Sequence, residues 1–225
     1  MAISDTIRQR IINNDGKYYC NHNISNYIEP TEIEGLIEEV QGKVESLLHS
    51  LIIDVDNDHN TQNTAKRVAK MFINETFSGR YKPMPNITSF PNVCYDQVYI
   101  TGPISIRSTC AHHFQPIKGS CWIGVFPGEK VIGLSKFNRL VHWITERPQI
   151  QEEMTQQIAD AVEQETKCSG IAVVVKCEHM CMTHRGVREH AGVMTTSVMR
   201  GQFREHLPTK QEFLSLLGGM KGYHE

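Results

Sequence analysis

Two short stretches gather residues that can bind a metal or carry protons. The first is "STCAHHFQP", residues 108–116, which holds Cys110, His112 and His113. The second is "CEHMCMTHRG", residues 177–186, which offers Cys177, His179 and Cys181. Thiolate sulfur and imidazole nitrogen are the donors zinc prefers. Three protein ligands plus an open position make a catalytic centre; four closed ligands make a structural one. Both remain open on spacing alone. In an extended segment His112 and His113 point to opposite sides, so only one of them can join Cys110 at a metal. On a strand, Cys177, His179 and Cys181 share one face. Cys110, His113, Cys177 and Cys181 are therefore a competing closed set, which would make the chain a zinc-stapled binding module. Cys20, Cys94 and Cys168 lack such company and read as ordinary core or surface residues.

The rest of the chain must hold these stretches in place. Residues 1–30 show no clean period and read as an extended or poorly ordered arm. From Glu32, Ile33, Leu36, Ile37, Val40, Val44, Leu47, Leu48 and Leu51 recur at three- and four-residue spacing, which predicts an amphipathic helix with Thr31 as its N-cap. A shorter helix is expected in "TAKRVAKMFINETF", with Val68, Met71 and Phe72 inward. Strand signals follow in "QVYI", "ISIR", "SCWIGVFP" and "KVIGL", with "PGEK" as a hairpin turn. Next come two helices. The first carries Phe137, Leu140, Val141 and Ile144 on one face, with Ser135 as a cap; the second carries Ile150, Met154, Ile158, Ala161 and Val162. "GIAVVVKCEH" and "GVMTTSVMRG" are strands, and "TKQEFLSLLGG" closes with a short helix. This order predicts an α+β fold with an antiparallel sheet.

Composition narrows the function classes. The 225 residues carry a net charge of -2, which argues against a dedicated nucleic-acid or anionic-membrane binder. No apolar run is long enough for a membrane span. The start lacks the apolar core of a secretory signal, and seven cysteines are an odd number, so a reducing, cytoplasmic setting is expected.

Five runs, "STCAHHF", "VIGLSKFNRLV", "RPQIQEEMTQQIA", "CEHMCMTHRGVRE" and "TTSVMRGQFRE", occur in this order. Together they resemble GTP cyclohydrolase I, the zinc enzyme family that opens the purine ring of GTP. The resemblance runs from about Thr64 to the C-terminal helix. It implies the tunnelling fold (T-fold), an antiparallel sheet backed by two antiparallel helices. Expected domains are an N-terminal arm at 1–30, a helical region at 31–80 and a catalytic domain at 81–225. It also implies a homodecamer of two pentamers with active sites shared between subunits.

Site residues follow from the same resemblance. Cys110, His113 and Cys181 are the expected zinc ligands, and Cys177 is not one. His112 and His179 match the proton-transfer residues, and Glu152, with Gln151 beside it, the guanine site. Ser135, Lys136, Arg139, Arg185, Arg67 and Lys70 are expected on the triphosphate. The implied chemistry is attack of zinc-activated water at C8 of guanine, loss of C8 as formate and closure to 7,8-dihydroneopterin triphosphate. Other tunnelling-fold enzymes acting on pterins or deazaguanines fit less well, because they lack the Cys-x-His-His run. A zinc-stabilised regulatory protein that has lost catalysis is the rival from another class. Ala111 keeps it open, since the family usually has Glu there.

Overall fold

The computed structural model describes residues 2–220. Met1 and residues 221–225, the ends of the expected arm and of the expected catalytic domain, lie outside the described residues. The chain divides into two compact units, Met1–Pro83 and Met84–Glu225.

The first unit is helical. It contains α1 (Ile3–Asn13), α2 (Glu32–Ser50), α3 (Thr64–Met71) running into a π-helical turn at Phe72–Thr76, and α4 (Ser78–Tyr81). The arm expected to be extended or poorly ordered thus begins with a helix. Ile3, Ile7 and Ile11 fall four residues apart and make a stripe that packs on Leu36, Ile37, Ala69 and Ile73. Arg10 fastens it by donating two hydrogen bonds to the Glu32 carboxylate, at 2.6 and 2.7 Å. Thr31 does not cap α2 through its side chain. Glu32 instead accepts the Glu29 backbone N–H. On α3 the buried face is Ala65 and Ala69, continued by Ile73, while Val68, Met71 and Phe72 are only half-buried. Small residues here allow close helix approach, which a search for large apolar residues overlooks.

The second unit is α+β. Its main sheet is formed by β2 (Tyr99–Cys110), β3 (Pro116–Phe126), β5 (Pro148–Gln149), β6 (Gly170–His179) and β7 (Val193–Gly201), in the order β5-β2-β3-β6-β7. All pairings are antiparallel except β2 with β5. Tyr99 and Ile100 of "QVYI" and all of "ISIR" belong to one strand, β2, with an irregularity between Thr101 and Ile104. "PGEK" does not close a hairpin. Both edges of β3 are already paired, so β4 (Lys130–Ile132) leaves to pair with β1 (Ser89–Pro91).

Two helices, α5 (Leu134–Thr145) and α6 (Gln151–Thr166), back one face of the sheet. Alternation places Ile171, Val173, Val175 and Cys177 of β6 against Phe137, Leu140, Val141, Ile144, Met154, Ile158 and Val162 in one core. On the opposite face Ala172 and Val174 meet Trp122, Phe203 of α8 (Gln202–Glu205), and Phe213 and Leu217 of α9 (Leu207–Met220). Burial on both faces explains why β6 reads as a continuous apolar run. Ser135 makes no capping bond; α5 starts one residue earlier, after Gly133. α6 buries Thr155 and Ala159 with Met154, Ile158 and Val162, while Ile150 and Ala161 are half-buried. Among the described residues no helix is long and apolar enough to cross a membrane.

Candidate metal centre

Strand register brings the two metal-binding stretches together. Ile117 of β3 pairs with Ser108 of β2 on one side and with His179 of β6 on the other. The ends of β2 and β6 are therefore level across β3. After Cys110 the chain makes a tight turn, closed by the Phe114 N–H on the Cys110 carbonyl, with Phe114 at φ +52°. After His179 it enters a single turn of helix, α7 (Met180–Thr183), which carries Cys181. Ligand atoms of Cys110, His113 and Cys181 lie within 4.8 Å of one another.

The donor set suits zinc. Two sulfurs and one imidazole are borderline-soft ligands, and three of them leave a fourth position open. Burial pushes the Cys181 thiol up, and the neighbouring Cys110 sulfur adds to this, while Arg185 pulls the other way. Two adjacent sulfurs resist sharing negative charge unless a cation lies between them, which is the condition a bound divalent metal relieves.

The closed four-ligand alternative does not form. Cys177 lies one strand repeat back from His179 and points into the core at 1 % exposure. Its sulfur sits against Gly119, where an added Cβ would come within 2.7 Å. Burial raises its thiol to about 12. Nor is the His112–His113 segment extended. It is a turn, and both histidines are exposed, with ring centroids 6.3 Å apart and planes at 80°. His112 Nδ1 lies 4.0 Å from Cys110 Sγ.

Strand β5 supplies the next layer. Its parallel pairing sets Pro148 beside Thr109 and Gln149 beside Cys110, and the Ala111 N–H donates to the Gln149 carbonyl. The first turn of α6 therefore opens next to the metal-binding turn, with Gln151 and Glu152 at its start. Glu152 is exposed. Gln151 is completely buried, and its side-chain oxygen lies 2.7 Å from His179 Nε2. Its amide nitrogen is engaged by groups inside the protein.

His179 is half-buried. Burial holds its imidazole below the ordinary value, and the Glu152 charge opposes this. Substituting Glu152→Gln is expected to lower the His179 titration midpoint further. The check is the histidine ring shifts of the metal-free protein followed against pH. An unchanged or raised midpoint would mean that the Glu152 charge does not reach the ring.

The residues expected on α5 stand apart from this cluster within the chain. Ser135, Lys136 and Arg139 are on the first turns of α5, with Lys136 donating to the Asn86 carbonyl. That helix begins shortly after the Phe126 end of β3, the end opposite the metal-binding turn. It then runs 12 residues, about 18 Å, back towards Pro148. Within one chain Ser135 and Lys136 therefore lie towards the far end of the sheet. Arg185 follows α7 and acts on the Cys181 thiol. Arg67 and Lys70 are exposed on α3, in the first unit. Thr155 and Thr196, which both contact the Gln151 side of this layer, were not legible as site residues. The four-residue offset of Thr155 from Gln151 along one helix was the one available signal.

The family model described as GTP cyclohydrolase I matches residues 40–218. The chain is 37% identical over 187 residues to "GTP cyclohydrolase 1" of Aeromonas salmonicida, covering 82% of this chain and 84% of the relative. It is 38% identical over 186 residues to the protein of the same name from Chromohalobacter salexigens, covering 82% of this chain and all of the relative. Among solved structures it is similar to the archaeosine synthase QueF-Like in the apo form, with 14% identity and a TM-score of 0.37, covering 46% of this chain and 91% of that one.

Proposed function

Because the chain belongs to the GTP cyclohydrolase I family, we propose that it converts GTP to 7,8-dihydroneopterin triphosphate and formate at a zinc centre held by Cys110, His113 and Cys181. The observation that carries this reading is the convergence of those three ligand atoms at the sheet end where His179, Gln151 and Glu152 also meet. Zinc, when bound, supplies Lewis-acid chemistry and makes water nucleophilic near pH ~7.

The chain's own residues do the rest. Exposed Glu152 accepts the N1 and N2 hydrogens of guanine, which turns the C8 edge towards the metal-binding turn. His112 and His179 deliver a proton to N7 and take up protons as the ring opens, a task suited to imidazoles. Arg185 meets the triphosphate from the same side. Ser135, Lys136 and Arg139 complete the phosphate site, with Arg67 and Lys70 as further contacts. The span of α5 supports a site shared between subunits, in which these residues reach the zinc centre of a second copy. A decamer of two pentamers is the assembly this reading adopts, in a reducing cytoplasm.

The test is direct. Zinc-loaded protein, shown to be oligomeric by sedimentation, is incubated with GTP while formate and the pterin absorbance are followed. Both products are expected in equal amounts. A fully metallated oligomer that releases no formate would refute the reading and favour a zinc-stabilised protein without catalysis.

A further inference from the structure

The hydrogen-bond network behind His179 has a direction that can be worked out donor by donor. Gln151 Nε2 lies 3.1 Å from the Val175 carbonyl on β6, 3.1 Å from the Met194 carbonyl on β7 and 3.0 Å from Thr196 Oγ1. Carbonyl oxygens only accept, so the amide atom facing them must be the NH2 group. The hydroxyls agree. Thr155 Oγ1 donates its one hydrogen to the Gln151 carbonyl at 2.7 Å, one helical turn back. The 2.6 Å contact between Thr155 and Thr196 must then be donated by Thr196, which leaves Thr196 a lone pair for Gln151. Three acceptors thus surround the amide nitrogen, and a flipped amide would set its oxygen against two carbonyls. The amide oxygen is left facing His179 Nε2 at 2.7 Å, and an oxygen there accepts only from a ring N–H.

We propose that Gln151, locked by the Val175 and Met194 carbonyls and by the Thr155–Thr196 hydroxyl pair, is a positioning residue that holds His179 as the Nε2–H tautomer. Its other nitrogen, Nδ1, is then the one offered to substrate. Gln151 acts through His179 and needs no contact with guanine. Nothing in the lock depends on the metal, because every member is a strand carbonyl or a side chain from α6 or β7. A neutral imidazole exchanges protons at one nitrogen at a time, so a misplaced proton disables it even when the ring itself has not moved. The inference rests on His179 being a proton carrier in the proposed reaction.

The experiment compares zinc-loaded wild type, Gln151→Met and Gln151→Glu. Met fills the space without an acceptor for His179; Glu restores an oxygen at the same reach and, held protonated by the Val175 and Met194 carbonyls that face its second oxygen, still donates to them. Solid-state 15N spectra of histidine-labelled protein read the tautomer, with His179→Gln identifying the signal by its loss. Expected are an Nε2–H signal in wild type, its loss or mixing in Gln151→Met and its return in Gln151→Glu. Alongside, kcat for GTP should fall at least ~10-fold in Gln151→Met, with KM little changed and kcat largely recovered in Gln151→Glu. A wild-type ring protonated on Nδ1, or an unchanged tautomer in Gln151→Met, overturns the proposal. So does a rise in KM at constant kcat, which would make Gln151 a substrate contact. A changed tautomer with unchanged kcat would refute the proton-carrying role of His179 while leaving the hydrogen-bond assignment standing. Absence of product from wild type would refute the proposed reaction, and the spectra would still decide the tautomer.

Discussion

Cys181→Ala is expected to empty the metal centre and abolish turnover, while the second unit stays folded. Cys181 is one of three ligand atoms within 4.8 Å of one another, and among the described residues no fourth His, Cys, Asp or Glu joins that cluster. Cys177, the nearest sulfur along the strand, is turned into the core. Outer-shell partners of a metal typically contribute 10- to 100-fold in affinity, so loss of a direct thiolate should weaken zinc binding by more than ~100-fold. Folding should survive, because Cys181 is half-buried on the one-turn α7, and the sheet is held by strands on both sides of β6. Zinc content per chain, by mass spectrometry of the dialysed protein, is the primary readout, with circular dichroism as the folding control. About one zinc retained per chain after dialysis would remove Cys181 from the ligand set. The same variant also tests proton linkage. Burial and Cys110 hold the Cys181 thiol above its ordinary value, so zinc must displace its proton, and wild-type affinity should fall as pH falls.

Legibility in the sequence followed the range of the forces involved. The apolar run of β6, the alternation of β7 and the apolar face of α5 are local patterns, and they produced the elements they predict. The arm at 1–30 was misread because its signal is only Ile3, Ile7 and Ile11, and the stripe becomes stable only against α2 and α3. "PGEK" looked like a hairpin because turn chemistry is local, whereas the choice of partner for β4 depends on β2 and β6 already occupying β3. At the metal centre the residue types were legible but the geometry was not. Alternation along an uninterrupted strand put Cys177 and Cys181 on one face. The strand stops at His179, and α7 turns Cys181 towards Cys110 while Cys177 stays in the core. The Gln151 lock was invisible because its acceptors, Val175, Met194 and Thr196, lie 24 to 45 residues away in the chain.

His112→Ala is expected to keep its zinc and lose turnover, the opposite division from Cys181→Ala. The two histidines of the turn differ in what they reach. His113 contributes a ligand atom to the cluster, whereas His112 approaches it only through Nδ1, 4.0 Å from Cys110 Sγ. With Cys110 a thiolate under the metal, that nitrogen can donate weakly to sulfur, which leaves Nε2 facing outward from an exposed ring. Removing such a contact should trim zinc affinity no more than about 10-fold, the low end of outer-shell effects. Loss of a proton carrier costs far more in rate, roughly 10²- to 10⁴-fold in kcat. Ala111, next to it, offers no carboxylate to take over. Zinc stoichiometry and steady-state kinetics on the same preparation separate the two effects. If His112→Ala came out metal-free, the turn would be using His112 where His113 is assigned, and the ligand set would need redrawing. If it kept zinc and full kcat, proton delivery would fall to His179 alone, and the tautomer fixed by Gln151 would then govern every proton step in the site.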